Sequence, residues 1–153
     1  MHNYRLAVDE NGSPFVLNSK GSIDFGYITE EMNLPPAPIR IAEGNDNYGL
    51  THIELRHGSQ LRENGFISAH EFVEFVSTHF ESIRQGIGDT FLLEVQNEHN
   101  DTLFIKMIKD LEARARQNDV SDVFVLDKEE LHASLPMIRK DIKYGLYAKN
   151  AYI

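Results

Sequence analysis

The hydrophobic rhythm of the chain changes near Leu50. Before it, apolar residues come in short runs broken by turn formers; after it, they recur at helical spacing. The opening segment "YRLAVDENGSPFVL" places apolar stretches on either side of Asn11-Gly12, a strong turn dipeptide, and predicts a hairpin with strands near 3–8 and 14–18. In "SIDFGYITEEMNLPPAPIRIAEG", Pro35, Pro36 and Pro38 oppose helix and favour an extended connection, with a short strand at "PIRIAE". From Leu50, the positions of Leu50, Ile53, His57 and Leu61 define one helix face, provided Gly58 interrupts it only locally. "SAHEFVEFVSTHF" then opens on Ser68 and Glu71, a capping box, and carries an apolar stripe of Phe72, Val73, Phe75, Val76, His79, Phe80 and Ile83. Gly86 and Gly88 are expected to stop that helix.

"TFLLEVQNEHNDTLFIKMIKD" reads as a second hairpin around the polar loop "QNEHND". "LEARARQND" fits a short helix or a continued strand, "DVFVLD" a strand, and "KEELHASL" a short helix ended by Pro136. No repeat, low-complexity tract or linker divides residues 1–153. The pattern predicts one α+β domain with an N-terminal β-hairpin, then helices, then an antiparallel sheet.

Composition narrows the functional classes. The 153 residues are 41% apolar and 25% charged, as in a globular domain able to bury a substantial core. No apolar run approaches the roughly 20 residues of a membrane helix, and the N-terminus lacks the apolar region of a secretory signal. No membrane partner is therefore expected. The absence of cysteine excludes disulfides and thiolate metal sites and fits a cytoplasmic setting. With 24 acidic against 15 basic residues, the formal charge is -9, which repels nucleic acid at long range. Nucleic-acid chemistry would need a local cationic site.

"GLTHIELRHGSQLRENGF" is where such a site is sought. His52 and Arg56 are four apart and share a helix face, whereas His57 lies well round from His52. Histidines five apart do not match the helical zinc motif, which needs a spacing of four, and no metal or other cofactor is expected. Histidine moves protons near neutral pH, and arginine holds phosphate through a fixed fork of donors. Cleavage of RNA by its own 2′-hydroxyl needs both functions. On the structural alternative, Arg56 pairs with a carboxylate such as Glu63 and His57 caps the helix C-terminus. His79 is expected at the core boundary, His70 in solvent, His99 at a loop tip and His2 at a fraying terminus. His132, on a short helix, could face the sheet. No phosphate-binding glycine loop or nucleophile elbow is present.

The order "IDFGYITEE", "PPAPIRIAEG", "YGLTHIELRH", "GFISAHEFVEFVSTHFESIRQG" and hairpin resembles the barnase–EndoU–colicin–RelE-like nucleases, in the branch found in phage and mobile elements. The resemblance spans about residues 22–110, with "GL.HI..RH" and "GF.S..EFV" as its most specific parts. It implies helices packed on a curved antiparallel sheet and metal-independent cleavage of RNA by a toxin or effector. It also implies that His52, Arg56 and His57 are catalytic or phosphate-binding, and an immunity or other protein partner is possible for such a domain. These domains usually end with a polar strand motif and a basic segment. Here "DVFVLDKEELHASLPMIRK" stands instead, where Arg139 and Lys140 are candidate phosphate ligands and His132 or Ser134 the candidate polar residue. Tyr144 and Tyr147 in the basic tail could stack on bases. The rival expectations are a catalytically inactive, acidic protein-binding module of the same fold and, more remotely, a metal-assisted hydrolase.

Overall fold

The computed structural model describes residues 4–10, 12–32, 34–86, 88–109, 118–127 and 137–139. The N-terminal hairpin pairs β1 (Leu6–Val8) with β2 (Pro14–Val16), antiparallel, with Gly12 N bonded to Asp9 O between them. β3 (Gly26–Ile28) and β4 (Ala37–Arg40) follow, joined through a single 3₁₀ turn at Glu30–Met32. Helices α1 (Gly49–Glu63) and α2 (Ala69–His79) come next. Strands β5 (Ser82–Gln85), β6 (Thr90–Gln96), β7 (Asp101–Lys109), β8 (Asn118–Asp127) and β9 (Met137–Arg139) complete the described chain. The main sheet has the order β3-β4-β8-β7-β6-β5-β9 and is antiparallel except where β4 meets β8. Helices on a curled, mostly antiparallel sheet, preceded by a hairpin, are the α+β arrangement the sequence predicts.

Alternation along the strands assigns the two faces of the sheet. Leu93 and Val95 of β6, Leu103, Ile105 and Met107 of β7, and Val123 of β8 join Leu50, Ile53, Leu61, Phe72, Val73 and Val76 of the helices in the main core. The opposite face carries Leu92 and Phe104, packed with Phe124 and Leu126, and a buried pair, Arg84 and Glu94. Arg84 Nε and Nη2 lie 3.3 Å from the Glu94 carboxylate, which also accepts from Ser82 Oγ at 2.7 Å. The pairing offsets the cost of dehydrating both charges.

The helices follow their local signals. Ser68 Oγ accepts from Glu71 N at 3.2 Å; Glu71 in turn accepts from Ile67 N, one residue earlier than a standard capping box. α1 runs through Gly58, where a Cβ would collide with the Glu54 carboxylate, and ends at Gly65, whose φ of +92° suits glycine. Phe66 N bonds Leu61 O and Gly65 N bonds Arg62 O, a Schellman closure.

Three expectations need correction. Residues 82–85 are strand rather than helix, and Ile83 belongs to β5, so Gly86 and Gly88 do not end α2. At Phe80 the backbone turns extended (φ -59°, ψ 142°), and Glu81 N bonds Glu94 O, because pairing with β6 satisfies this backbone and buries Arg84 on Glu94. Residues 26–28, read as connection, form β3 against β4. β8 begins at Asn118, earlier than the "DVFVLD" strand. The segments at 110–117, 128–136 and 140–153, with their predicted short helices, His132, Ser134, Lys140, Tyr144 and Tyr147, lie outside the described residues, as does His2.

Arg40 joins the hairpin to the sheet. Its side chain is only 8% exposed. Nε lies 2.6 Å from Asp24, and Nη1 lies 3.6 Å from buried Asp9 and 3.7 Å from Glu10. The guanidinium also sits 5.9 Å from the ring centre of Phe15. Arg40→Leu would leave those carboxylates facing one another without a cation, so denaturant unfolding is expected to show a loss of about 3–5 kcal/mol. A loss within experimental error would contradict the role of Arg40 as the clamp.

Candidate functional site

A backbone turn, rather than a side-chain cap, sets the start of α1. Asn45 N bonds Tyr48 O at 2.9 Å, and the first helical amides, Leu50 N and Thr51 N, bond the carbonyls of Ala42 and Glu43 at 2.9 Å each. The turn needs glycine at Gly44 (φ +67°) and Gly49 (φ +80°), since a Cβ at either would strike backbone atoms of the same turn. Tyr4 braces it from the hairpin, with its hydroxyl donating to Glu43 Oε2 at 3.1 Å. Burial, then the bond to Glu43, pushes the Tyr4 phenol up to about 12. On its other side Tyr4 stacks on His70 (5.7 Å between ring centres, 9° between planes).

Downstream, α1 lies along the edge of β8. β4 pairs with β8 at Ile39↔Asn118 and Arg40↔Asp119, so the outer edge of β8 beyond Asp119 has no strand partner among the described residues. Gln60 Nε2 donates to the edge carbonyl of Val125 at 3.2 Å. His57 Nε2 lies 2.8 Å from Asp122 Oδ1, and its ring meets Phe124 edge-on at 5.6 Å. Glu54 accepts from Ala69 N at 3.0 Å and pairs with Arg62 at 2.8 Å, fastening α1 to the start of α2.

Helical geometry separates the predicted site residues. His57 faces β8, half-buried, whereas His52 lies about 140° round the helix. His52 Nδ1 approaches the carbonyl oxygen of Asp46 at 2.7 Å. A carbonyl can only accept, so Nδ1 carries a proton, and in the neutral ring Nε2 is left as an acceptor. Arg56, one turn on, is exposed and makes no hydrogen bond or ion pair among the described residues; Glu63 is not its partner. His57 does not cap the helix C-terminus, which lies at Glu63. The backbone of Arg139 is in β9, at the opposite end of the sheet order from β3 and β4 and four strands from β8.

Sequence reasoning missed two neighbours of His52 and Arg56. Tyr48 and Leu55 are 56% and 65% exposed, and seven-residue spacing puts them on the same side of α1. With His52 and Arg56 they occupy an arc of roughly 100°. Their signal is available in the seven-residue spacing of the sequence. Asp122 was also missed, because an acidic residue inside an apolar strand can be matched to a partner only through the tertiary fold.

The other histidines divide differently from expectation. His70 is not solvated: it is half-buried, 2.8 Å from Leu17 O, and edge-on to Phe25 at 5.5 Å. His79 is exposed rather than at the core boundary, stacked on Phe75 at 4.6 Å. His99 occupies the β6–β7 loop, as predicted. Among the described residues no cluster of three or more His, Asp or Glu is arranged to hold a metal ion. No helix among them is long and apolar enough to cross a membrane. Comparison with known proteins gives no matching family, no similar characterised protein and no similar solved structure.

Two outcomes are expected here. A double-mutant cycle of His57→Ala and Asp122→Ala should give a coupling near 1 kcal/mol, modest because both side chains keep some solvent contact (20% and 24%); additivity would rule out the pair. For Tyr4, the folded-state value exceeds the unfolded one, so its term in stability is fully present below pH ~10 and is lost as pH rises through about 12. Tyr4→Phe should therefore lose about 1 kcal/mol at neutral pH, and this difference should shrink toward pH 12. A difference constant with pH would contradict that assignment.

Proposed function

We propose that the outer face of α1 is an RNA-cleaving surface. The observation that carries the reading is that, among the described residues, His52 Nε2 and the guanidinium of Arg56, one helical turn away, have no partner. In this reading His52 Nε2 takes the proton of the 2′-hydroxyl. The 2′ oxygen forms a bond to phosphorus as the bond to the leaving 5′ oxygen breaks. Arg56 holds the phosphate oxygens as charge develops on them. Tyr48 offers an exposed ring on which a neighbouring base stacks. Water supplies the proton to the leaving oxygen, since His57 faces β8 and is held by Asp122. The products are a 2′,3′-cyclic phosphate and a 5′-hydroxyl. The likeness to the barnase–EndoU–colicin–RelE-like nucleases and the helices-on-curled-sheet fold both favour this reading.

A second reading rests on its own observation. Tyr48, Leu55 and Arg56 form an exposed patch of the residue types, aromatic and arginine foremost, that anchor protein interfaces. The same face would then dock a protein partner, and the domain would be a binding module without catalysis.

Incubation with mixed RNA in EDTA separates the two readings. The RNase reading predicts cleavage that survives the chelator and yields cyclic phosphate ends. His52→Ala and Arg56→Ala should each slow it by about 100-fold or more, while Arg62→Ala, which loses only the pair with Glu54, leaves it unchanged. Absence of cleavage across several purified RNAs would reject that reading and favour the binding module.

A further inference from the structure

A second surface lies on the edge strand β3. Among the described residues it is the last strand of the main sheet, paired only with β4. The register sets Tyr27 opposite Pro38. Proline has no N–H, so this cannot be a pair that exchanges two hydrogen bonds; Gly26↔Ile39 and Ile28↔Ala37 must be the bonded pairs. The N–H and C=O of Tyr27 therefore point away from β4, out of the sheet edge, and no described group takes them up.

Edge strands of natural proteins are blunted by lysine, proline or a bulge that turns them away. β3 itself has neither lysine nor proline and is three residues long; Phe25 N, just before it, also bonds Ile39 O at 2.8 Å. Its inner face is fixed: Gly26 packs so closely on the Ser77 carbonyl of α2 that a Cβ there would overlap the oxygen. β3 is thus seated directly on the backbone of α2. Beside it opens a groove of about 610 Å³ lined by Tyr27, Thr29, Glu30, Glu31, Pro36 and Pro38 among others. Tyr27 is 56% exposed, and the prolines give the groove an apolar floor. Every charged residue lining it is acidic, on a chain of net charge -9.

We propose that β3 and this groove bind an extended, lysine- or arginine-bearing segment of a partner protein, which adds a strand beside Tyr27. The Tyr27 N–H donates to the incoming strand and its C=O accepts from it. Glu30 and Glu31 attract the cationic side chains, and Tyr27 with the prolines covers their aliphatic stems. The inference is independent of the α1 face and stands or falls without it.

The test is fluorescence anisotropy of the full chain with a labelled peptide of alternating lysine and valine. Three control peptides accompany it: one with glutamate for lysine, one N-methylated at alternate amides facing one side, and one N-methylated facing the other. The lysine peptide is expected to bind, with affinity falling as salt rises, and the glutamate peptide is not. The Glu30→Gln, Glu31→Gln double variant, altered only at exposed positions, should weaken binding about fivefold or more. One of the two N-methylated peptides should bind about tenfold more weakly, since it cannot complete the ladder with Tyr27. No binding of the lysine peptide, equal binding of the glutamate peptide, or full affinity in both N-methylated peptides would overturn the proposal. So would concentration-dependent dimerisation abolished by Tyr27→Lys, which would assign the edge to a second copy of this chain.

Discussion

The seating of α1 on the open edge of β8 is the constraint on which the rest of the site depends. β4 leaves that edge after two residue pairs, and a strand edge with unpaired carbonyls cannot be buried without a donor. Gln60 supplies one to Val125, and His57 reaches past the edge to Asp122. Once those two side chains are fixed, the rotation of α1 is fixed as well. His57 must then face the sheet, and His52, Leu55 and Arg56 must face outward. The glycine turn at 44–49 sets the same rotation from the other end, through Ala42, Glu43 and Asp46. Two independent anchors agree, which gives a short polar helix one orientation.

The placement of cations follows from the same logic of paired burial. Arg40 and Arg84 are drawn into the fold, where Asp9, Asp24 and Glu94 neutralise them. Arg62 is engaged with Glu54 at the α1–α2 junction. The described surface is therefore more acidic than the count of arginines suggests, and Arg56 stands out on it as an exposed guanidinium beside an imidazole. An RNA approaching this face meets a small cationic spot within a repulsive field, so association would be slow at low salt and less hindered as salt screens the field. The same field draws cationic chains toward the acidic rim of β3.

Much of the fold was legible because its strongest signals are local. The Asn11-Gly12 turn, the Ser68–Glu71 cap and the face of Leu50, Ile53 and Leu61 each state one element within a few residues. The misread stretch, residues 80–85, shows where local reasoning ends. Ile83 continues the helical stripe of α2, but Ser82, Ile83 and Arg84 also alternate as a strand, and only β6, with Glu94 waiting for Arg84, decides between them. β3 escaped notice for a related reason, since three residues among prolines carry too little pattern. At the site, the sharing of one face by His52 and Arg56 was readable from their spacing. The partner of His57 was not, because Asp122 lies 65 positions on and meets it only through the edge of β8. His70 looked solvated for want of Tyr4 and Leu17, which the hairpin brings from the far end of the chain.

The orientation of α1 has a direct spectroscopic signature in its two imidazoles. Long-range ¹H–¹⁵N correlation of the histidine rings reads which nitrogen carries the proton in each. Neutral His52 is expected to hold its proton on Nδ1, against the Asp46 carbonyl, and the signature of His57 with Nε2 facing Asp122 to change in Asp122→Asn while that of His52 stays. A neutral His52 protonated on Nε2, or a His57 ring indifferent to the loss of the Asp122 carboxylate, would contradict this orientation.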